Sequence, residues 1–327
     1  MDADAGLHDE GDGMSALASD DYDEFGLLGD NAAEAGLKLS GPPLVARRSY
    51  EVGDGQSVSA LAWGDQAPEL AFLHGGGQNA HTWDTVALAL GRPLIAVDLP
   101  GHGHSDRRPD RDYGPWRNAE AVASVLDQVV PHKAVRAQGG APALTLVGMS
   151  LGGATAIRLA ASRPDLVRRA VIVDVTPQVN DPSRTMTRAE RGAVALVSGP
   201  PVYESFEAMA AAAVAASPNR PRSAVERGVR HNARRLPDGS WAWRYDLFGE
   251  RPPGMTEFTP LWEDVSAITV PVMLVVGGDS KFVTEGDVAE FRRRLPALRV
   301  EVVPGAGHAI QSDQPLALTR LIEDFAG

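Results

Sequence analysis

Gly148-Met149-Ser150-Leu151-Gly152, with Gly153 after it, places a hydroxyl between glycines at the end of the apolar run Leu144-Thr145-Leu146-Val147. The spacing G-x-S-x-G describes a buried strand that turns sharply into a helix and leaves one serine exposed at the apex. A side chain at either flanking glycine would clash inside so tight a turn. Residues 154–161 read as the helix, so its N-terminus lies beneath Ser150, where the dipole favours developing negative charge. A serine hydroxyl is a weak nucleophile near neutral pH. Nucleophilic chemistry at Ser150 therefore needs a base and a set of oxyanion donors elsewhere in the chain.

The donors are sought upstream, where Leu70-Ala71-Phe72-Leu73 runs into His74-Gly75-Gly76-Gly77-Gln78. Three glycines let the main chain approach a ligand closely and present N–H groups without obstruction. The amides of Gly76 and Leu151 are the expected oxyanion donors, with Gly75 and Gly77 shaping the loop. His74 is expected to pack and hydrogen-bond this loop. The base is sought near the C-terminus, since nucleophile, acid and histidine follow in that order behind an elbow of this kind. Arg299-Val300-Glu301-Val302-Val303 reads as a strand and Pro304-Gly305-Ala306-Gly307-His308 as the loop leaving it. A histidine there can swing over the elbow, which assigns His308 as general base. Of the other histidines, His102 and His104 sit in a turn, His8 in the tail, His132 in a polar loop and His231 in a basic stretch. None has the spacing of two ligands on one helix face, so no metal is expected.

Together with Asp98-Leu99-Pro100-Gly101-His102-Gly103-His104-Ser105, these segments resemble the α/β-hydrolase superfamily. The wording at 74–84 (HGGGQNAHTWD), 173–177 (VDVTP) and 311–315 (QSDQP) is similar to small actinobacterial, mycobacterial-type serine esterases, and the Gly-Gly-x-Ser-x-Phe-Val pattern at 277–283 is similar to that of related esterases and thioesterases. The resemblance runs from about Tyr22 to the C-terminus. It implies hydrolysis of short- to medium-chain acyl esters through an acyl-enzyme, a small-molecule ester as partner, and no cofactor. The stretch 132–142 departs from it, being longer and richer in Ala and Gly than the corresponding loop. Ser150 argues against the dehalogenases and epoxide hydrolases of similar fold, which attack with aspartate. The same residues would also serve a thioesterase or a carbon–carbon bond hydrolase, and some members of such folds only bind a ligand.

The acid has two candidates. Resemblance places it in a Gly-x-x-Asp turn after the strand Val272-Met273-Leu274-Val275-Val276, but this chain reads Gly277-Gly278-Asp279-Ser280. Ser280 stands at the usual carboxylate position and Asp279 is one residue off. Asp174, at the end of Ala170-Val171-Ile172-Val173, is favoured, with Asp279 as the alternative. The acid's work is to hold the imidazole in one tautomer and stabilise its cation.

The elements that must position these groups alternate strand and helix from residue 94 onward, which predicts a parallel sheet covered by helices on both faces; the resemblance implies the α/β-hydrolase fold, with a mostly parallel sheet of eight strands. The alternation breaks between residues 177 and 268, where an alanine-rich helix at 207–216, a basic amphipathic segment at 225–235 and a short strand or turn at 240–245 predict a helical cap. Such a cap is expected to line an apolar acyl pocket. The resulting division is an acidic, largely disordered extension at 1–40, core at 41–176, cap at 177–268 and core again at 269–327.

Composition agrees. Of 43 acidic residues 11 precede residue 37, a span without Lys or Arg, so the net charge of −12 belongs mostly to the extension. Phe25, Leu27 and Leu28 are placed to begin a short helix that packs on the body. No basic stripe with interleaved aromatics suggests nucleic-acid binding. The chain has no cysteine, which excludes disulfides and thiol catalysis. No apolar run predicts a membrane span and no leader pattern is present, so a cytoplasmic location is expected. Composition fixes no oligomeric state.

Overall fold

A computed structural model describes residues 22–130, 144–178, 200–218, 220–246 and 257–327. His8, His132, the stretch at 132–142 and the start of the extension lie outside the described residues. In chain order the first elements are α1 (Leu28–Glu34), β1 (Val45–Gly53), β2 (Gln56–Trp63), β3 (Leu70–Leu73), α2 (Asp84–Leu90) and β4 (Leu94–Val97). Then come α3 (Pro115–Val129), β5 (Leu144–Met149), α4 (Leu151–Ser162) and β6 (Val167–Val173). The insertion holds β7 (Val202–Tyr203), α5 (Phe206–Ala216), α6 (Arg222–Asn232), β8 (Ala233–Arg235) and β9 (Trp241–Trp243). The chain closes with α7 (Leu261–Ala267), β10 (Val272–Gly277), α8 (Glu285–Arg294), β11 (Arg299–Val303), α9 (Ile310–Asp313) and α10 (Pro315–Ala326).

Eight strands form one sheet in the order β1-β2-β4-β3-β5-β6-β10-β11. β1, β2 and β4 pair antiparallel, and every later pairing is parallel. The parallel strands read as nearly continuous apolar runs because both faces are covered. Period two still sorts them: Ala71, Leu73, Leu146 and Ile172 face one core layer, and Phe72, Val147, Val171 and Val173 the other. The first layer is closed by α3, α4, α7 and α8, through Val122, Ile157, Leu261 and Phe291. The second is closed by α1, α2 and α10, through Leu28, Val86 and Leu318.

Residues 22–36, which the sequence places in the acidic extension, pack on the body: Leu28 and Ala32 are buried, as the apolar residues of that segment predict. The insertion is not wholly helical. It carries a three-stranded antiparallel sheet, β7-β9-β8, and an apolar cluster of its own that includes Phe206, Met209, Val229 and Trp241. β9 falls within the short strand or turn predicted at 240–245, whereas β7 and β8, of two and three residues, are too short to leave a period in the sequence. Helix α7, assigned by the sequence to the cap, instead joins the main core through Leu261 and Val265. Among the described residues no helix is long and apolar enough to cross a membrane.

Candidate active site

Sheet register brings the site together. Leu73 of β3 lies opposite Gly148 of β5, so the loop at 74–77 and the elbow at Ser150 leave the sheet side by side. Met149 pairs with Val173, which puts Asp174 beside the elbow, and Val173 pairs with Val275. Gly277 pairs with Val303, which delivers the loop carrying His308 to the same edge. This is the crevice at the carboxyl ends of the strands where the order reverses, between β3 and β5, the general site of function in open α/β sheets.

Ser150 takes φ 52°, ψ −117°, outside the regions favoured by L-residues, and so marks a strained turn. Its N–H donates to the Val173 carbonyl at 3.1 Å, and its carbonyl accepts from Ala154 at 2.9 Å. A Cβ at Gly148 would lie 2.2 Å from the Gly152 oxygen, and one at Gly152 would lie 2.3 Å from the Leu73 oxygen. Both glycines are therefore fixed by close backbone approach.

Asp174, also at positive φ (52°), is fully buried. His308 Nδ1 meets its Oδ2 at 2.7 Å. Ser280 Oγ donates to the same oxygen at 2.5 Å, and the Gly277 N–H donates to Oδ1 at 2.9 Å. On the other side of the ring, His308 Nε2 is buried without a hydrogen-bond partner among the described residues. Phe282 stacks on the ring with centroids 3.8 Å apart. Asp279 is exposed, and its side chain hydrogen-bonds to none of the described residues. The turn delivers Ser280 to the carboxylate and carries Asp279 away from it, so the alternative acid is not brought to His308.

The loop of glycines is organised by side chains. Gln78 Oε1 accepts the Gly75 N–H at 3.0 Å, and a Cβ at Gly75 would lie 3.3 Å from Ser150 Cβ. The amides of Gly76 and Leu151 donate to no protein acceptor among the described residues. They are thus free to serve a ligand. His74 has both ring nitrogens engaged: Nδ1 with the Gly75 carbonyl at 2.8 Å, and Nε2 accepting the Leu99 N–H at 2.9 Å. Burial holds its pKa below the ordinary histidine value, so it is a neutral strut for the loop, as the sequence predicts.

Behind this loop, Asp98 accepts the Ala80 N–H at 2.7 Å, the His104 N–H at 3.0 Å and Arg47 Nη1 at 2.7 Å. Burial alone would raise its pKa, but Arg47 and the two amides outweigh it and hold the carboxyl below its usual range. His81 lies between Asp84 (2.9 Å) and Glu24 (3.0 Å), and Tyr22 bonds His231 Nδ1. Ligand atoms of His81, Asp84 and His231 lie within 4.8 Å of one another. The two rings stack with centroids 3.8 Å apart at 12°, so their lone pairs lie in parallel planes and do not converge on one cation. The arrangement is that of a clasp tying α6 and the segment at 22–24 to the core.

The insertion overlies the loop at 76–85. Asn232 Nδ2 donates to the Gly77 carbonyl at 2.6 Å, and Asn79 Nδ2 donates to the His231 carbonyl at 3.0 Å. Arg220 of the insertion pairs with Asp313 at 2.9 Å, and Asp313 Oδ2 accepts the Gly307 N–H at 3.0 Å beside His308. A cavity of about 200 Å³ lies between these parts. Its wall is mixed, with Ala213, Val229 and Trp243 facing Gln78, Thr82 and Gln311, where the sequence predicts an apolar pocket. The amphipathic helix α6 turns polar residues toward the core loop as well as toward solvent.

Ser150, Asp174, His308 and the loop of Gly75, Gly76 and Gly77 therefore meet at one edge of the sheet. Gln78, Ser280 and Phe282 were not singled out for the site from the sequence, although Ser280 and Phe282 fall inside the pattern at 277–283.

A family model described as "Alpha/beta hydrolase family" matches residues 70–321. Esterase Rv0045c of Mycobacterium tuberculosis is 48% identical over 314 residues, 94% of this chain and 98% of that protein. A crystal structure described as a novel esterase, Rv0045c from that organism, superposes with a TM-score of 0.78 at 45% identity, covering 94% of this chain and 99% of the other. The 2-(acetamidomethylene)succinate hydrolase of Mesorhizobium japonicum is 29% identical over 266 residues, 79% of this chain and 87% of that protein.

Proposed function

The chain belongs to the alpha/beta hydrolase family, and we propose that it is a serine carboxylesterase acting on short- to medium-chain acyl esters of small molecules. The observation that carries this reading is the 2.7 Å contact of His308 Nδ1 with buried Asp174, which leaves Nε2 as the ring's unpaired nitrogen, available to take a proton. The similarity to a mycobacterial esterase along nearly the whole chain supports it.

In the proposed mechanism, His308 Nε2 takes the Ser150 proton as Oγ attacks the ester carbonyl, and Asp174 stabilises the imidazolium. The carbonyl oxygen becomes an oxyanion held by the N–H groups of Gly76 and Leu151. Collapse breaks the bond to the alcohol, which leaves with the proton from His308. Water then attacks the acyl-Ser150 ester, giving its proton to His308, and the acid departs with Ser150 restored.

The test pairs a fluorogenic acyl ester with a fluorophosphonate probe. Hydrolysis by the wild-type protein, one probe adduct on the peptide containing Ser150, and loss of both in Ser150→Ala are expected. An adduct on another residue, or undiminished turnover in Ser150→Ala, would overturn the assignment. Matched thioester and dione substrates in the same assay rank the bond types by kcat/KM, with the oxygen ester expected to lead.

A further inference from the structure

The loop between β11 and α9 carries His308, and a side chain ties that loop one residue earlier, at Gly307. The Gly307 N–H donates to Asp313 Oδ2 at 3.0 Å. On the carbonyl side of the same residue, a Cβ at Gly277 would lie 2.3 Å from the Gly307 oxygen, so the end of β10 abuts it. The next residue is His308, whose ring meets Asp174. Asp313 closes α9, and its other oxygen, Oδ1, takes Arg220 Nε at 2.9 Å. The one carboxylate therefore carries two bonds, one to the loop of the general base and one to the insertion.

Arg220 stands in the turn between α5 and α6. At the far end of α6, Asn232 donates to the Gly77 carbonyl at 2.6 Å, one residue from the Gly76 amide. Within the helix, Arg227 pairs with Glu34 and His231 bonds Tyr22, which hold α6 to α1 and to the segment before it. Helix α6 is thus fixed against the loop of glycines at one end, and the turn before its other end reaches the base loop through Asp313. The side chains of Arg220 and Asp313 are 23% and 21% exposed. An ion pair so placed adds little to overall stability. Its consequence is geometric, because a displacement of about 1 Å in a reacting group costs on the order of 100-fold in rate.

We infer that Asp313 is a positioning residue for His308 and that Arg220 sets it, so that the seating of the insertion reaches the general base through this carboxylate. This rests on the esterase reading above and adds to it a residue that acts through the Gly307 amide.

The experiment compares Asp313→Ala, Asp313→Asn, Arg220→Met and the double variant Asp313→Ala with Arg220→Met on one para-nitrophenyl ester. Active sites are counted by exhaustive fluorophosphonate titration, so that kcat is expressed per functional Ser150. A merely structural role would lower the number of titrated sites and leave kcat per site unchanged. Asp313→Ala is expected to lower kcat per site by roughly 10- to 100-fold, with KM within about threefold of wild type. Asp313→Asn keeps an oxygen for the Gly307 N–H but turns an NH₂ group toward Arg220. It should lose roughly 3- to 10-fold, and Arg220→Met should match it. The double variant should be no slower than Asp313→Ala alone, because both residues act along one path. Arg220 lies on a partly exposed turn, so its variant carries the test where Asp313→Ala does not fold. An unchanged kcat per site in Asp313→Ala, a change of KM alone in Arg220→Met, or losses that multiply in the double variant overturns the inference and leaves the esterase reading intact. A wild-type protein that hydrolyses no ester and takes no probe on Ser150 overturns both.

Discussion

Ser280 donates its hydroxyl to Asp174 Oδ2, the same carboxylate oxygen that meets the His308 ring at 2.7 Å. The residue at the position where resemblance puts a carboxylate thus supports the carboxylate that stands one strand away. Asp174 extends from the end of β6, Ser280 from the turn after β10, and the parallel pairing of those strands makes their meeting a matter of register. The Gly277 N–H on Oδ1 completes the cradle.

Asp174→Asn is expected to lower turnover by roughly four orders of magnitude, because an amide at this position favours the wrong imidazole tautomer. Asp279→Asn should stay within a few-fold of wild type, since Asp279 is exposed and outside the cradle. Both changes preserve side-chain volume, so steady-state kcat on one ester separates charge and tautomer from packing. A crippled Asp279→Asn beside a nearly normal Asp174→Asn would redraw the site through the turn after β10.

Ser280→Ala removes a hydrogen bond to a buried carboxylate without touching the imidazole. A loss of roughly 3- to 10-fold in kcat is expected, with little change in KM, in line with one net hydrogen bond. Ser280→Thr keeps the hydroxyl and should recover most of the rate. Equal impairment of the two variants would show that packing in the turn, and not the bond to Asp174, sets the effect.

Much of this site was legible because its parts are local. Ser150 and His308 each sit in a strand-and-turn pattern that the sequence states outright, and the loop at 74–78 announces itself by its glycines. The choice between Asp174 and Asp279 was not local. It depends on which side chain the register of β6 against β10 delivers to His308, and adjacent positions in a turn deliver to different places. The insertion was legible as a break in alternation, and α5 and α6 fall close to the segments predicted. Of its sheet, Trp241–Trp243 falls within the short strand or turn read at 240–245, whereas Val202–Tyr203 and Ala233–Arg235 were not legible, because strands of two or three residues carry no period. The pairing of Glu24 with Arg47 and His81 joins residues 23 and 57 positions apart, so no sequence window contains it.

Phe282 should contribute by holding the His308 ring in place through its stacked face. Phe282→Leu keeps an apolar side chain but removes the aromatic contact, whose value in such pairs is about 0.5–1.5 kcal/mol. The expected outcome is a fall in kcat of roughly 2- to 10-fold on a common ester, with the fluorophosphonate labelling rate of Ser150 falling in parallel. A normal labelling rate with lowered kcat would mean that Phe282 acts on a step after attack by serine.

The clasp between Glu24 and His81 makes a pH signature with a definite sign. Burial alone would lower the pKa of His81, but Asp84 and then Glu24 outweigh it and raise the value from 6.5 to about 9. A raised histidine contributes stability that is fully present below 6.5 and is lost as pH climbs through 9. Burial alone would raise Glu24, yet its bonds to His81 and Arg47 bring it from 4.5 down to about 2. That contribution is present above 4.5 and is lost as pH falls toward 2. A third group acts within the acid limb: burial and the neighbouring His74 hold His102 down to about 3, so unfolding takes up a proton there at any pH between about 3 and 6.5. The three together place maximal stability near pH 6.5, with a fall on either side. Urea midpoints measured from pH 4 to 9.5, at fixed salt, should show the alkaline fall in wild type and a shallower one in Glu24→Gln, which removes one of the carboxylates that hold the proton on His81. Far-ultraviolet circular dichroism checks that the variant starts folded. Midpoints that stay flat between pH 6.5 and 9 in the wild-type protein, or an alkaline slope unchanged in Glu24→Gln, would show that the clasp holds the segment at 22–24 by packing and neutral hydrogen bonds, without the imidazolium charge.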